Sequence, residues 1–274
     1  MAWVRRELDS IGIPPLKRFG QHFLIDKVVR ERLIELAELT GNDTVLEVGP
    51  GLGFLTAALI GRAGRTIAIE KDRTLAAYLK AKFSQQQNLT VIEGDALTVQ
   101  IPDGSKVVSC PPYNISSKLI LLIMNSGFRL AALLMQEEFV RRLTASSGSR
   151  NYGRISVMLQ SKARAEFDMR VPREAFYPKP RVDSALVTIK PTNEKLQAKN
   201  QQLFIDMVRA LFTQRRRKLR GVLAKYLKTQ YPTRSGTILQ HIPLIDKRVY
   251  ELNPNELMAL SNQIVEATTE SERG

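Results

Sequence analysis

The feature that most constrains the fold is a run of short apolar stretches, each followed by an amphipathic one, from about residue 27 to residue 190. TVLEVG (44–49), TIAIE (66–70), LTVIEG (89–94), KVVSC (106–110), LAALLMQ (130–136) and ALVTIK (185–190) read as strands, and ISVMLQSKA (155–163) reads as strand-like. Between them, helical spacing covers Lys27 to Leu39, which Asp26 could cap, then 53–61, 73–83, 116–125 and 137–145. Continuously apolar strands alternating with helices predict a parallel sheet covered on both faces. After Pro191 the chain turns polar and then helical without strands. This predicts a boundary at 192/193, with a sheet domain over 1–192 and a small helical domain over 193–274.

Composition narrows the setting. No apolar run approaches the roughly 20 residues of a membrane span, the N-terminus lacks the layout of a signal peptide, and the single cysteine cannot form an internal disulfide. A cytoplasmic monomer is expected. Two histidines and one cysteine, far apart, supply no metal cluster. The formal net charge of +14 calls for an anionic partner, and phosphate is the obvious one. The densest basic run is Arg215, Arg216, Arg217, Lys218 and Arg220, which reads either as a solvated helix face or as a contact for RNA phosphates.

The first clear strand runs into Gly49-Pro50-Gly51-Leu52-Gly53 and then a helix, a turn that lets a ligand approach backbone amides. The spacing departs from the dinucleotide fingerprint, whose last glycine would fall at Phe54. Glu70 ends the second strand, where an acid can accept from ribose hydroxyls, and Asp95 follows the third, where it could accept from an adenine amine. Either acid could instead cap the helix that follows. Taken in order, with no lysine poised for a triphosphate, the series suits S-adenosylmethionine.

After the fourth strand, Cys110-Pro111-Pro112-Tyr113 resembles in three of four places the Asp/Asn-Pro-Pro-Tyr motif of amino-methyltransferases. An exocyclic adenine amine is a poor nucleophile because its lone pair is delocalised. Two acceptors are needed to hold its hydrogens and aim that lone pair, and an aromatic ring to stack on the extruded base.

LKRFGQHFLID (16–26), LEVGPGLGFLT (46–56), IEKD (69–72), GDAL (94–97), PPYNISS (111–117), FYPKPRVDSALV (176–187) and FTQRRRKLRGVL (212–223) together resemble the ribosomal RNA adenine dimethyltransferase family. Within that family the chain looks like the KsgA type, archaeal in flavour, and is related to the Erm methyltransferases. The resemblance implies a Rossmann-like class I methyltransferase sheet, mostly parallel with its last strand antiparallel, and a small C-terminal all-helical domain. It implies that His22, Leu24, Gly49, Glu70, Asp95 and Cys110 contact S-adenosyl-L-methionine, which leaves as S-adenosyl-L-homocysteine. Cys110, Tyr113 and Phe176 would hold the target adenine, and the basic run 215–220 would contact RNA. The implied reaction is dimethylation of two adjacent adenosines in the 3′-terminal hairpin of small-subunit rRNA, on a ribosomal subunit precursor.

The chain departs from the family at Cys110, where asparagine is usual. A thiol is a weak hydrogen-bonding group, so one amine-orienting bond should be poor. That leaves a natural variant in which a backbone carbonyl does most of the orienting, an engineered substitution, an assembly factor of the same fold that binds more than it methylates, or a nucleophilic cysteine.

Overall fold

The computed structural model describes residues 2–10, 12, 22–192, 197–240 and 242–269. The LKRFGQ part of the first motif and the end of the polar tail lie outside them. By packing the chain forms two units: residues 1–140 with 164–191, and residues 141–163 with 192–274.

The first unit opens with helix α1 (Ala2–Ser10), which periodicity had not flagged, and the two-residue strand β1 (Phe23–Leu24). Helix α2 (Lys27–Leu36) follows, with Asp26 as its cap: Oδ1 accepts from the Val28 and Val29 amides at 2.8 and 3.1 Å. Then come β2 (Thr44–Val48), α3 (Phe54–Ile60), β3 (Arg65–Glu70), α4 (Arg73–Lys82), β4 (Leu89–Glu93), β5 (Lys106–Ser109), α5 (Ser116–Met124), β6 (Leu130–Gln136) and α6 (Glu137–Leu143). The main sheet has the order β4-β3-β2-β5-β6, completed by β9 (Ser184–Pro191) and β7 (Ala163–Val171). All pairs from β4 to β6 are parallel, and β9 runs antiparallel to β6.

Burial explains why these strands are legible in the sequence. All four residues of β5 and six of seven in β6 are buried, so they read as unbroken apolar runs, whereas edge strand β4 is half-exposed along most of its length. Edge strand β7, ARAEFDMRV, is charged and exposed in its middle, so its sequence carries no apolar strand signal. A small second ladder pairs β1 antiparallel with β8 (Phe176–Tyr177), setting Phe23 opposite Tyr177 and Leu24 opposite Phe176.

The strand order reverses beside β2, whose neighbours are β3 on one side and β5 on the other. Chains leaving β2 and β5 therefore diverge to opposite sides and leave a crevice beyond their carboxyl ends, where open α/β sheets bind ligands.

The strand expected at 155–163 is instead helix α7 (Arg154–Gln160). Its Ile155 to Leu159 are all buried, and a short apolar run buried on every side has no helical stripe to betray it. Ser156 fixes its start: Oγ accepts from the Gly153 amide at 3.0 Å and donates to the Arg142 carbonyl at 2.5 Å. Residues 141–163 thus pack with the helical unit and not with the sheet domain expected over 1–192. That unit continues with α8 (Gln201–Phe212), α9 (Leu219–Gln230), α10 (Ser235–Gln240) and α11 (Pro254–Thr269). They close on a core that includes Tyr152, Phe204, Met207, Leu211, Leu223 and Leu257.

Candidate active site

A cavity lies over the carboxyl ends of β2, β3, β4 and β5. Its lining contains His22, Leu24, Gly49, Glu70, Asp95, Cys110, Tyr113 and Phe176, so the eight sheet-unit residues singled out from the sequence meet around one space.

The glycine loop is tightly held. Gly49, Gly51 and Gly53 have φ of +69°, +58° and +80°, a region that suits glycine. There is also no room for a side chain: a Cβ on Gly51 would come within 2.8 Å of the Phe23 ring, and one on Gly49 within 3.0 Å of Pro112 Cδ. The proline corner therefore packs directly on the glycine loop. Pro112 starts the 3₁₀ turn Tyr113–Ile115, and Ser116 Oγ ties that turn by donating to the Tyr113 carbonyl at 2.9 Å.

Glu70 is 6% exposed, with Oε2 accepting from the Gly51 amide at 3.1 Å and Oε1 from the Asp72 amide at 2.9 Å. Burial pushes its pKa up against the pull of those amides. The cap of α4 is Asp72, whose Oδ1 takes the Thr74 and Leu75 amides at 2.9 and 3.0 Å. Glu70 is thus not a helix cap. Asp95 does two things: Oδ1 accepts from the Leu97 amide at 2.9 Å, and Oδ2 pairs with Lys71 Nζ at 2.9 Å. The Lys71 bond is the main reason its pKa is held low.

At the other end of the cavity, Tyr113 is half-buried and its hydroxyl shares a 2.6 Å hydrogen bond with Ser184 Oγ. His22 stacks on Tyr113 with ring centroids 5.8 Å apart and planes 27° apart. Because the Pro178 carbonyl can only accept, His22 Nδ1 must carry the hydrogen in their 2.6 Å contact. Phe176 is 4% exposed, packed in the core with Leu24, Leu134 and Leu186. Cys110 is half-buried beside that core. Burial, and secondarily the charge of Glu47, push its thiol far above neutrality, so it is not poised as a nucleophile.

Several other residues around the cavity carry no role read from the sequence. Glu47, the fourth of the five residues of β2, is 1% exposed and accepts from Thr56 Oγ1 at 2.7 Å. Burial pushes its pKa up to about 8, and Glu70 adds to the effect. A lone acid inside an otherwise apolar strand was the available signal. Lys71 and Arg30 also face the cavity, and Leu52 forms part of its wall. Ser184, the anchor of Tyr113, had no local signal because it sits 71 residues away.

The basic run lies within the helical unit, and residues 213–218 form a turn between α8 and α9 rather than a helix face. Arg215 is half-buried and donates to the Tyr152 carbonyl and, at 3.0 Å, to the Arg150 carbonyl, so it braces the fold. Arg216, Arg217, Lys218 and Arg220 are exposed, with Lys218 3.4 Å from Asp246.

Even without Glu47, whose raised pKa favours the neutral acid, the cavity's acids (Glu70, Asp72 and Asp95) outnumber Arg30 and Lys71, which disfavours a polyphosphate. Acceptors at two strand ends, apolar walls from Leu52, Ile69 and Ala96, and a cradle that admits no Cβ fit a cationic nucleoside such as S-adenosylmethionine. Fold and site define a Rossmann-like class I methyltransferase.

The chain belongs to the ribosomal RNA adenine dimethylase family, whose model it matches over residues 16–261. It is 41% identical over 262 residues to a probable ribosomal RNA small subunit methyltransferase A of Pyrococcus abyssi, covering 94% of this chain and 95% of that protein. The like-named protein of Methanosarcina mazei is 37% identical over 248 residues, covering 90% and 92%. A crystal structure of a dimethyladenosine transferase from Plasmodium falciparum superposes with a TM-score of 0.77 at 25% identity, covering 91% of this chain and 98% of that one. The 23S rRNA methyltransferase ErmE gives 0.67 at 29% identity, covering 89% and 99%.

Proposed function

We propose that this chain dimethylates the exocyclic amines of two adjacent adenosines in the 3′-terminal hairpin of small-subunit rRNA, acting as a cytoplasmic monomer on a ribosomal subunit precursor. The observation that carries this reading is that the glycine loop and the proline corner, leaving adjacent strands at the switch point, open into one cavity. S-adenosylmethionine, when bound, supplies the activated methyl group. The chain's own residues bind and orient. Glu70 and Asp95 present carboxylates at neighbouring strand ends, for ribose hydroxyls and an adenine amine. Tyr113, fixed at its hydroxyl by Ser184, offers a ring to an unstacked base. The Cys110 position and the adjoining backbone carbonyl hold the amine's hydrogens, and no strong base is required because the geometry does most of the work.

In this reading Arg216, Arg217, Lys218 and Arg220 contact rRNA phosphates, while Arg215 holds the turn that presents them. Cys110 weakens one amine contact and slows the reaction without abolishing it. The test is incubation with isotopically labelled S-adenosylmethionine and small subunits that lack the modification, followed by nucleoside analysis of the rRNA. Label in N6,N6-dimethyladenosine is expected. Tight subunit binding without label would instead favour an assembly factor.

A further inference from the structure

The nucleobase end of the cavity carries a cation that the proposed reaction does not use. Lys71 directly follows Glu70 at the end of β3, and Asp95 lies two residues beyond the end of the adjacent strand β4. The Lys71 side chain therefore spans the gap between the two acids and places Nζ 2.9 Å from Asp95 Oδ2. The other oxygen of Asp95 is already committed to the Leu97 amide. Oδ2 has no such backbone donor, and it is this oxygen that the ammonium holds. The pair is breakable, since the Lys71 side chain is 66% exposed and that of Asp95 35%. Lys118 adds a more distant positive charge.

We propose that Lys71 is a displaceable latch on the nucleobase subsite: its ammonium pairs with Asp95 and yields Oδ2 to the exocyclic amine of the incoming adenine nucleoside. The inference rests on the cofactor reading above. It also gives Lys71 a hand in specificity. A 6-oxopurine has no amine to offer Asp95 and turns an acceptor toward it, which a bare carboxylate rejects. With Lys71 in place, the ammonium can donate to the 6-oxygen while still paired with Asp95. The lysine thus weakens adenine binding slightly and blunts discrimination against the deaminated base.

The test is calorimetry of wild type and Lys71→Met, which keeps the stem and removes the charge, with S-adenosylhomocysteine and its 6-oxo counterpart S-inosylhomocysteine. Exposed pairs of this kind are worth up to about 1 kcal/mol, so the variant should bind S-adenosylhomocysteine about two- to fivefold more tightly. It should bind the inosyl compound more weakly, widening the ratio of the two dissociation constants roughly tenfold. An unchanged ratio, or weaker S-adenosylhomocysteine binding by the variant, overturns the latch while leaving the cofactor reading intact. Failure of the wild type to bind S-adenosylhomocysteine overturns the cofactor reading itself. Carboxyl-carbon NMR of the ligand-free proteins gives a second readout. Asp95 should titrate at higher pH in Lys71→Met than in wild type, and coincident titrations would dismiss the pair.

Discussion

Glu47→Gln should remove the part of the loss of stability with rising pH that this carboxyl contributes. Glu47 is 1% exposed, its one hydrogen bond is from the Thr56 hydroxyl, and burial raises its pKa from 4.5 to about 8. Below about pH 4.5 the group is protonated in both folded and unfolded chains. Between 4.5 and about 8 the folded chain keeps a proton that the unfolded chain has released, so the stability contribution drains away as pH rises. At about 1.4 kcal/mol per pH unit, the loss approaches roughly 3–5 kcal/mol by pH 8.5. Glutamine has the shape of the neutral acid, and its carbonyl can still accept from Thr56. Urea titrations of both proteins between pH 5 and 9 isolate this group, because every other titrating residue is common to the pair. The variant should start close to wild type near pH 5 and lead it by on the order of 3 kcal/mol near pH 8.5. A difference that stays flat across the range would mean that Glu47 is ionised and solvated, and would refute the argument.

Restoring the family's asparagine at position 110 supplies a strong acceptor where the thiol is weak. Worth about 1–3 kcal/mol, it should speed single-turnover methylation by roughly ten- to a hundredfold with little change in S-adenosylhomocysteine affinity; an unchanged rate would assign the orientation to the backbone carbonyl alone. Gly51→Ala must hold φ near +58° and drive a methyl group to 2.8 Å from Phe23, so it should cost about 2–3 kcal/mol of stability and abolish cofactor binding measured by calorimetry. Replacing Arg216, Arg217 and Arg220 together with alanine should lower the salt dependence of subunit binding, with the slope of log K against log salt falling by about 2. Arg215→Ala should instead lower the melting temperature, because its donors serve the Tyr152 and Arg150 carbonyls.

Much of this molecule can be read from local signals. The core strands are legible because they are buried on both faces, and α2 and α4 because Asp26 and Asp72 stand at their starts. Glycines with positive φ and acids at strand ends mark the cavity for the same reason: each requirement is met by one residue and its neighbours. What escaped depends on distant partners. Helix α1 is set by Val4 and Leu8 packing with Phe23, Leu52 and Leu75, none of which a nine-residue window contains. The inward turn of Arg215 answers to carbonyls more than 60 residues earlier. α7 looks like a strand because tertiary burial erases the polar face that would have revealed its period. Glu47 is visible as an acid in an apolar run, but only the packed sheet reveals the burial that pushes its pKa up.

The most direct test is a crystal structure of the chain with S-adenosylhomocysteine and a short adenosine-containing RNA. The ribose should hydrogen-bond Glu70 and the cofactor's adenine amine Asp95, while an extruded adenine lies on Tyr113 with its amine at the Cys110 corner. A nucleoside seated away from the ends of β2 and β3, or a base bound elsewhere while Tyr113 faces only His22, would contradict the account.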